Sequence, residues 1–184
     1  MIVVVIVIAV ILVLLVLYVF SQYNGLVRLR NRVEAAWAQI DVQLKRRWDL
    51  IPNLVETVKG YAAHERETFE RVIAARNAAT TATGPAATAQ SDNLLTGALR
   101  QLFAVAEAYP DLKANTNFLQ LQEELTGTEG RIAYARQYYN DSVQKFNTKI
   151  QVVPASIIAN MFGFKEKEYF EPEQEARATP HVQF

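Results

Sequence analysis

The sequence contains no cysteine, and only two of its 184 residues are histidine, His64 and His181. A chain without thiols has no disulfide, no thiolate zinc site, no cysteine nucleophile and no lipid-modified cysteine. The stretch "HERE" at residues 64–67 lacks the second histidine of a zinc-binding helix, and no Glu-x-x-His pair is present for a di-iron site. We therefore expect no metal, no cofactor and no enzymatic activity.

An excess of charge of one sign is also missing, because 19 lysine and arginine residues balance 19 aspartate and glutamate residues. Nucleic-acid-binding proteins normally carry a large basic excess, so we expect no nucleic-acid partner. The length suits one domain and a membrane segment rather than two domains.

Charge is absent altogether from the first twenty residues, "MIVVVIVIAVILVLLVLYVF". At about 1.5 Å per residue, roughly 20 helical residues cross the ~30 Å hydrocarbon core of a bilayer. A helix is favoured over a strand, because a lone strand in lipid leaves its backbone groups unpaired. The segment lacks the basic start and the small-x-small cleavage site of a signal peptide. We predict an uncleaved transmembrane anchor over residues 1–21.

Three arginines, Arg28, Arg30 and Arg32, follow the predicted anchor closely. The positive-inside rule then places the body of the protein in the cytoplasm and a very short amino end outside. Two roles are open for these side chains: a topology signal on a solvated helix face, or attraction to anionic lipid headgroups. They are the candidate membrane-surface residues of the sequence.

An apolar stripe with steps of three and four residues crosses Pro52 without losing phase; it contains Val33, Trp37, Ile40, Leu44, Trp48, Ile51, Val55, Val58, Ala62, Phe69 and Val72. This pattern predicts one long helix from about residue 24 to about residue 80, bent at Pro52. The alternative is a break between two helices at residues 48–51. Lys45, Arg46 and Arg47 would stand tens of ångströms further from the membrane along a straight helix, at about 1.5 Å per residue.

A second stripe runs over five heptads; it contains Phe118, Leu121, Leu125, Thr128, Ile132, Ala135, Tyr139, Val143, Phe146, Ile150 and Val153. Such a stripe is typical of a bundle or coiled-coil seam. Glu129 with Arg131 and Arg136 is interpreted as ordinary surface charge. Asn140 and Asn147 are either register-setting polar contacts or solvated side chains.

The Ala/Thr-rich residues 78–93 are predicted to form a surface loop, and a shorter helix follows that stops before Pro110. The predicted fold is all-α: an N-terminal transmembrane helix, then an elongated antiparallel, up-and-down bundle of three to four helices. The bundle covers residues 22–164, and a C-terminal tail covers residues 165–184.

The carboxyl-terminal end is rich in apolar side chains, with five of them in "MFGFKEKEYF" at residues 161–170. Burying one such side chain is worth roughly 1.5–3 kcal/mol, so they either fold back on their own bundle or dock on a neighbour. The closing "PHVQF" has the alternation of an extended peptide that adds to another chain. We predict a homo-oligomer whose contacts include Phe162, Phe164, Phe170, Val182 and Phe184; a disordered tail is the alternative.

Three long stretches carry a family resemblance: "YNGLVRLRNRVEAAWAQIDVQLKRRWDLIPNLVETVKGYAAHE", "YPDLKANTNFLQLQEELTGTEGRIAYARQYYNDSVQKFN" and the closing "PHVQF". They resemble the LemA family of bacterial membrane proteins. Two positions depart from the usual family pattern, Trp48 in place of tyrosine and Gly130 in place of asparagine. The resemblance implies a single amino-terminal span, a helical bundle and no established enzymatic activity.

Two functions remain open at this point. The first is a self-associating structural scaffold of the bacterial envelope, held in the cytoplasmic (inner) membrane with lipid and further copies of itself as partners. The alternative is an adaptor that presents clients or signals to a membrane protease, a sensor or another envelope protein. The size of the detergent-solubilised particle separates the two.

Overall fold

The computed structural model describes residues 1–170, which form six helices and no strand. The helices are α1 (Ile2–Lys59), α2 (Arg66–Thr81), α3 (Pro85–Glu107), α4 (Pro110–Lys113), α5 (Thr116–Gln151) and α6 (Ala155–Met161). The predicted all-α class is confirmed. Two compact units are present: an anchor unit, residues 1–38 with 138–168, and a core unit, residues 39–137 with Tyr169 and Phe170. Helices α1 and α5 each contribute to both units.

Helix α1 continues through Pro52. The prediction of a continuous helix at this point is confirmed, and the alternative break at residues 48–51 is wrong. A proline inside a helix has no N–H to donate to the carbonyl four residues earlier, here that of Trp48. The side chain of Arg76, from α2, donates its Nε–H to this carbonyl at 3.2 Å. A side chain of another helix therefore replaces the hydrogen-bond donor that the proline lacks.

The prediction that this helix extends to residue 80 is wrong, because α1 ends at Lys59 and α2 begins at Arg66. Gly60 follows the last helical residue, and glycine favours helix ends because its backbone is unrestricted. The N–H groups of Tyr61 and Ala62 both donate to the carbonyl of Val58, at 3.0 and 2.9 Å. Buried apolar residues continue on both sides of this turn, so the phase of the stripe does not reveal it.

Residues 78–93, predicted as a loop, are mostly helical, which corrects that prediction. Helix α2 reaches Thr81, three residues intervene, and α3 begins at Pro85. Gly84 has a φ of 85°, which turns the chain, and Pro85 occupies the first helical position, where its missing N–H is harmless. Alanine is the strongest helix former, so an Ala-rich stretch with Gly-Pro at one point starts a helix there. The helix then ends before Pro110, as predicted.

The core unit is held together by an apolar cluster to which α1, α2, α3, α4 and α5 all contribute; it contains Ile51, Leu54, Val55, Val58, Ala62, Phe69, Val72, Ala79, Leu95, Leu99, Leu102, Ala106, Leu112, Phe118 and Leu125. Burial of each large side chain contributes roughly 1.5–3 kcal/mol. The stripe positions predicted from the sequence provide much of this cluster.

The anchor unit begins with the apolar run of α1, whose side chains are exposed. This part of α1 is long and apolar enough to cross a membrane, and none of its most apolar window is buried. Further along, α1 packs on α5 through Trp37 and Tyr139, whose ring centroids are 5.4 Å apart. Helix α6 adds a small buried face of Ala155, Ile158 and Ala159.

Candidate functional site

Four charged side chains meet inside the core unit and form what we call the ion-pair cluster: Arg47 of α1, Asp92 of α3, and Glu129 and Arg136 of α5. The Arg47 side chain is only 2% exposed and that of Asp92 only 1%. Glu129 and Arg136 reach partly into solvent. The cluster therefore places two opposite charges in the interior and one of each sign near the surface.

Arg47 connects three helices. Its Nη1 donates to Asp92 Oδ1 at 2.8 Å, and its Nη2 donates to Glu129 Oε1 at 2.9 Å and to Thr96 Oγ1 at 3.0 Å. The second carboxylate oxygen of Asp92 pairs with the guanidinium of Arg136. One buried carboxylate thus accepts from two arginines, which come from α1 and α5.

Burial and charge act against each other at Arg136. Desolvation lowers the pKa of its guanidinium, and the nearby Asp92 carboxylate opposes that shift. Arginine ionises so far above neutrality that the group stays charged at physiological pH. Its guanidinium carbon also lies 4.6 Å from the ring centroid of the buried Phe170, within the range of a cation–π contact.

Sequence reasoning missed this cluster, because the predicted apolar stripe contains Trp48 and not Arg47, Asp92 was predicted in a loop, and Arg136 was predicted in a surface pair. A signal was available in the stripe itself. Arg47 lies three residues after Leu44 and four before Ile51, so it occupies a stripe position that was given to Trp48. In the structure Arg47 is buried and Trp48 is only partly buried.

The three candidate membrane-surface arginines are all exposed. Arg30 lies over the ring of Phe164, with its guanidinium carbon 5.7 Å from the centroid, and Arg32 donates its Nε–H to the Tyr138 hydroxyl at 3.1 Å. The structure does not gather them into one site, and their contact with lipid stays a prediction.

Residues 162–168 fold along the anchor unit, and we call them the strap. The ring of Phe164 lies 5.9 Å from that of Tyr23 and 6.3 Å from that of Phe146, between centroids. Phe162 is more exposed, and its centroid is 4.7 Å from that of Tyr23. The strap therefore brings aromatic side chains against α1 just after the apolar run.

Polar groups of α5 fix the backbone of the strap. The Asn147 side chain donates to the Lys167 carbonyl and accepts from the Lys167 N–H, each at 2.9 Å. The Tyr139 hydroxyl donates to the Glu168 carbonyl at 2.8 Å. Burial, assisted by the Glu168 carboxylate, raises the pKa of Tyr139 to about 12. Asn147 thus makes a structural polar contact, with the strap rather than with another helix.

The structure does not bring the predicted oligomer-contact residues together on one surface of the described chain. Phe164 contacts the anchor unit and Phe170 the core unit, each within this chain, and Phe162 is exposed. Val182 and Phe184 lie outside the described residues. Within residues 1–170, no three or more histidine, aspartate or glutamate side chains are grouped to hold a metal. The chemistry that these sites offer is charge pairing and apolar contact.

Fold and sites together define an all-helical protein with an amino-terminal candidate membrane anchor and a core crossed by ion pairs. This chain belongs to the LemA family, whose sequence profile matches residues 36–184. The predicted family resemblance is confirmed.

Named relatives agree with this assignment. Magnetosome protein MamQ 2 of Paramagnetospirillum magneticum is 27% identical over 190 residues, which covers 89% of this chain and 70% of the relative. Magnetosome protein MamQ of Magnetospirillum gryphiswaldense is 26% identical with the same coverage. Protein LemA of Metamycoplasma hominis is 29% identical over 140 residues, covering 74% of this chain and 63% of the relative. None of these names denotes an enzymatic activity.

Proposed function

We propose that this protein is a membrane-anchored, non-enzymatic scaffold of the bacterial envelope that associates with further copies of itself. One observation carries the proposal: α1 begins as an exposed apolar run and ends as a stripe buried in the core unit. A run of this length is stable only when lipid covers it. The helix that enters the membrane is therefore also a structural part of the folded body, as expected of a scaffold.

We further infer that the helices of the core unit pack as an antiparallel, up-and-down bundle with a coiled-coil-like seam. The order of contacts between α1 and α5 supports this. Tyr61, just after α1, accepts a hydrogen bond from Asn115, just before α5, at 2.9 Å. Earlier in α1, Arg47 pairs with Glu129, later in α5. Later residues of α1 contact earlier residues of α5, and earlier residues of α1 contact later residues of α5. This is the order of contacts between antiparallel helices.

The proposed location is the cytoplasmic (inner) membrane, crossed once, with the short amino end outside and the body in the cytoplasm. The exposed Arg28, Arg30 and Arg32 support this orientation through the positive-inside rule. A reporter fused after Phe184 should behave as cytoplasmic, and changing the three arginines to glutamate should lower the fidelity of insertion. Digestion of the body by protease added to intact spheroplasts would reverse the assignment.

Self-association through the carboxyl-terminal end is part of the same proposal. Since Phe164 and Phe170 contact their own chain and Phe162 lies against Tyr23 of α1, the proposed self-association depends on Val182 and Phe184. Anchoring in a membrane favours association, because it raises the local concentration of subunits. Relatives whose names assign them to the magnetosome suit a structural role in a bacterial assembly.

The deciding experiment is light scattering of the full-length protein after size-exclusion chromatography in mild detergent. A large, homogeneous particle that shrinks when residues 171–184 are deleted supports the scaffold. A monomeric wild type contradicts it. A monomer that co-purifies with a membrane protease or sensor would favour the adaptor function.

A further inference from the structure

One apolar surface of the anchor unit lies outside its core and includes Phe162, the first residue of the strap. It consists of the turn after α5 and the outer side of α6, and its side chains are between 47% and 79% exposed: Val152, Val153, Ile157, Met161 and Phe162. We call it the α6 apolar face. No charged residue occurs from residue 152 to residue 164. A contiguous exposed apolar patch of this kind marks an interaction surface.

The α6 apolar face is continuous with the apolar run of α1. The ring of Phe162 is tilted against that of Tyr23, and the two residues line a groove of about 480 Å³ whose other walls are Leu15, Val16, Val19 and Phe20. From Tyr23 to Leu15 the helix rises by roughly 12 Å, at about 1.5 Å per residue. When α1 spans a bilayer, the groove therefore opens toward the lipid acyl chains.

Helix α6 has apolar residues on its buried side and also on its exposed side, where Asn160 accompanies them. Ala155, Ile158 and Ala159 face the interior of the unit, whereas Ile157 and Met161, four residues apart, share the exposed side. In water the apolar side chains on the outer side of such a helix stay exposed to solvent. In the interfacial layer of a bilayer they are buried.

Basic side chains surround this apolar stretch. Lys149 precedes it, Lys165 follows it and alternates with Glu166, Lys167 and Glu168, and Arg30 lies over the ring of Phe164. Lysine and arginine next to an inserted apolar segment extend their charges to the headgroup layer, where anionic lipids attract them. Lys149 and Lys165, at the two ends of the uncharged stretch, are thus placed to reach the headgroup layer.

We propose that the α6 apolar face is a second membrane-contacting element. It inserts into the leaflet at the carboxyl-terminal end of the span, and a lipid acyl chain fills the groove between Phe162 and α1. The proposal rests on the proposed membrane anchor. It commits to lipid rather than to a second copy of the chain, because the groove shares its walls with the span itself. Two contacts far apart in sequence then set the rotation of the anchor unit about the membrane normal.

The absence of cysteine allows a direct test, since each introduced thiol is the sole labelling site. Ile157→Cys and Met161→Cys would each carry a nitroxide in the full-length protein, reconstituted into vesicles of phosphatidylcholine and phosphatidylglycerol. Spin-label relaxation compares collisions with oxygen, which concentrates in lipid, and with a nickel chelate, which stays in water. Leu12→Cys is the reference for lipid, and Gln144→Cys, at an exposed polar position of α5 in the same unit, is the reference for water.

We expect the oxygen-to-nickel ratio at residues 157 and 161 to exceed that at residue 144 severalfold and to approach that at residue 12. Ratios equal to that of residue 144, with residue 12 still in lipid, overturn this inference and leave the anchor standing. A water-accessible residue 12 overturns both. Exclusion of both reagents together with spin–spin broadening would mean that a second copy covers the face, which also overturns the inference.

A charge variant provides an independent check. Val153→Asp changes a highly exposed side chain, so the fold is expected to remain. It should lower the oxygen-to-nickel ratio at residue 161 severalfold, whereas Thr148→Asp, at an exposed position of α5, should leave that ratio unchanged. Equal effects of the two substitutions would contradict insertion of this face.

Discussion

Two stretches of helix α1 differ in the exposure of their apolar side chains. In residues 2–18 the apolar side chains are exposed, and in residues 33–58 they are buried mostly at every third or fourth position; Leu15 is 57% exposed and Leu44 is 0% exposed. The difference follows from pattern, because the first stretch is apolar all round and the second alternates with charge. An all-apolar helix needs lipid on every side, whereas a striped helix needs other helices on one side.

Charge shows the same inversion. Arg28, Arg30 and Arg32 follow the first stretch and stay exposed, whereas Arg47 in the second stretch is buried. Burial of Arg47 is possible because α3 and α5 supply carboxylates to it. Within residues 1–170, the buried charges Arg47 and Asp92 thus lie where other helices bring the opposite charge.

The largest effect should come from breaking the buried pair. Asp92→Ala leaves two guanidinium groups without their shared carboxylate, and we expect a loss of about 3–5 kcal/mol in the free energy of unfolding. Urea denaturation in detergent, followed by circular dichroism, measures it. Glu123→Ala, at an exposed position of α5, should stay within about 0.5 kcal/mol of the wild type. A loss below about 1 kcal/mol for Asp92→Ala would place the pair among ordinary surface ion pairs.

Placing a charge in the first stretch tests the other side of the comparison. Leu12→Arg, near the middle of the apolar run, should reduce membrane insertion by about 2.5–3.5 kcal/mol. The fraction of protein that resists carbonate extraction from membranes reports this change. Leu94→Arg, at an exposed position of α3, is the matched control and should not alter that fraction. Equal extraction of both variants would show that the run does not anchor the protein.

The anchor unit also contains a buried tyrosine, Tyr139, whose ionisation at high pH should destabilise the fold. The pKa of Tyr139 is raised from about 10 to about 12 in the folded protein, so the unfolded chain loses this proton first. The resulting stability is complete below pH 10 and is lost as the pH rises to about 12; at ~1.4 kcal/mol per pKa unit it amounts to about 2–3 kcal/mol.

The Tyr139→Phe variant should lack this loss. Unfolding free energies measured from about pH 9 to about pH 12 should therefore fall less steeply in the variant than in the wild type. Its lower stability at neutral pH, from the missing hydrogen bond to Glu168, is separate and cancels in the comparison. Parallel curves for the two proteins would show that Tyr139 ionises at its ordinary pKa.

The smallest effect concerns Pro52, within the second stretch. Arg76 donates to the Trp48 carbonyl, which the proline leaves free. Arg76→Met should therefore destabilise the wild type more than it destabilises the Pro52→Ala variant, whose restored N–H competes for the same carbonyl. We expect a coupling of about 1 kcal/mol in the double-mutant cycle. Additive effects would mean that the two residues act independently.

Local pattern explains what could be predicted from the sequence. The anchor, the two long stripes and the continuity of α1 at Pro52 all depend on periodicity over neighbouring residues. The end of α1 at Lys59 escaped, because buried residues on both sides of the turn keep the same phase. The predicted start of α3 was too late, because the threonines and the Gly-Pro pair in residues 78–93 were given more weight than the helix propensity of alanine.

The ion-pair cluster is the part that local pattern could not supply. Arg47 occupies a stripe position, so its burial could have been suspected, but a buried arginine is acceptable only with a partner. Its partners are 45 and 82 residues away in the chain. Which carboxylate meets which arginine depends on how the helices pack.

These distances have a consequence for the order in which the protein is made. Synthesis starts at the amino end, so α1 and α3 leave the ribosome before α5. Arg136 is made 44 residues after Asp92, with which it pairs. Until then the core also lacks Phe118 and Leu125. A chain released early holds a carboxylate without its second cation beside exposed apolar surface, a state that chaperones and proteases remove. The ion-pair cluster is therefore complete only in a chain that has been translated through α5.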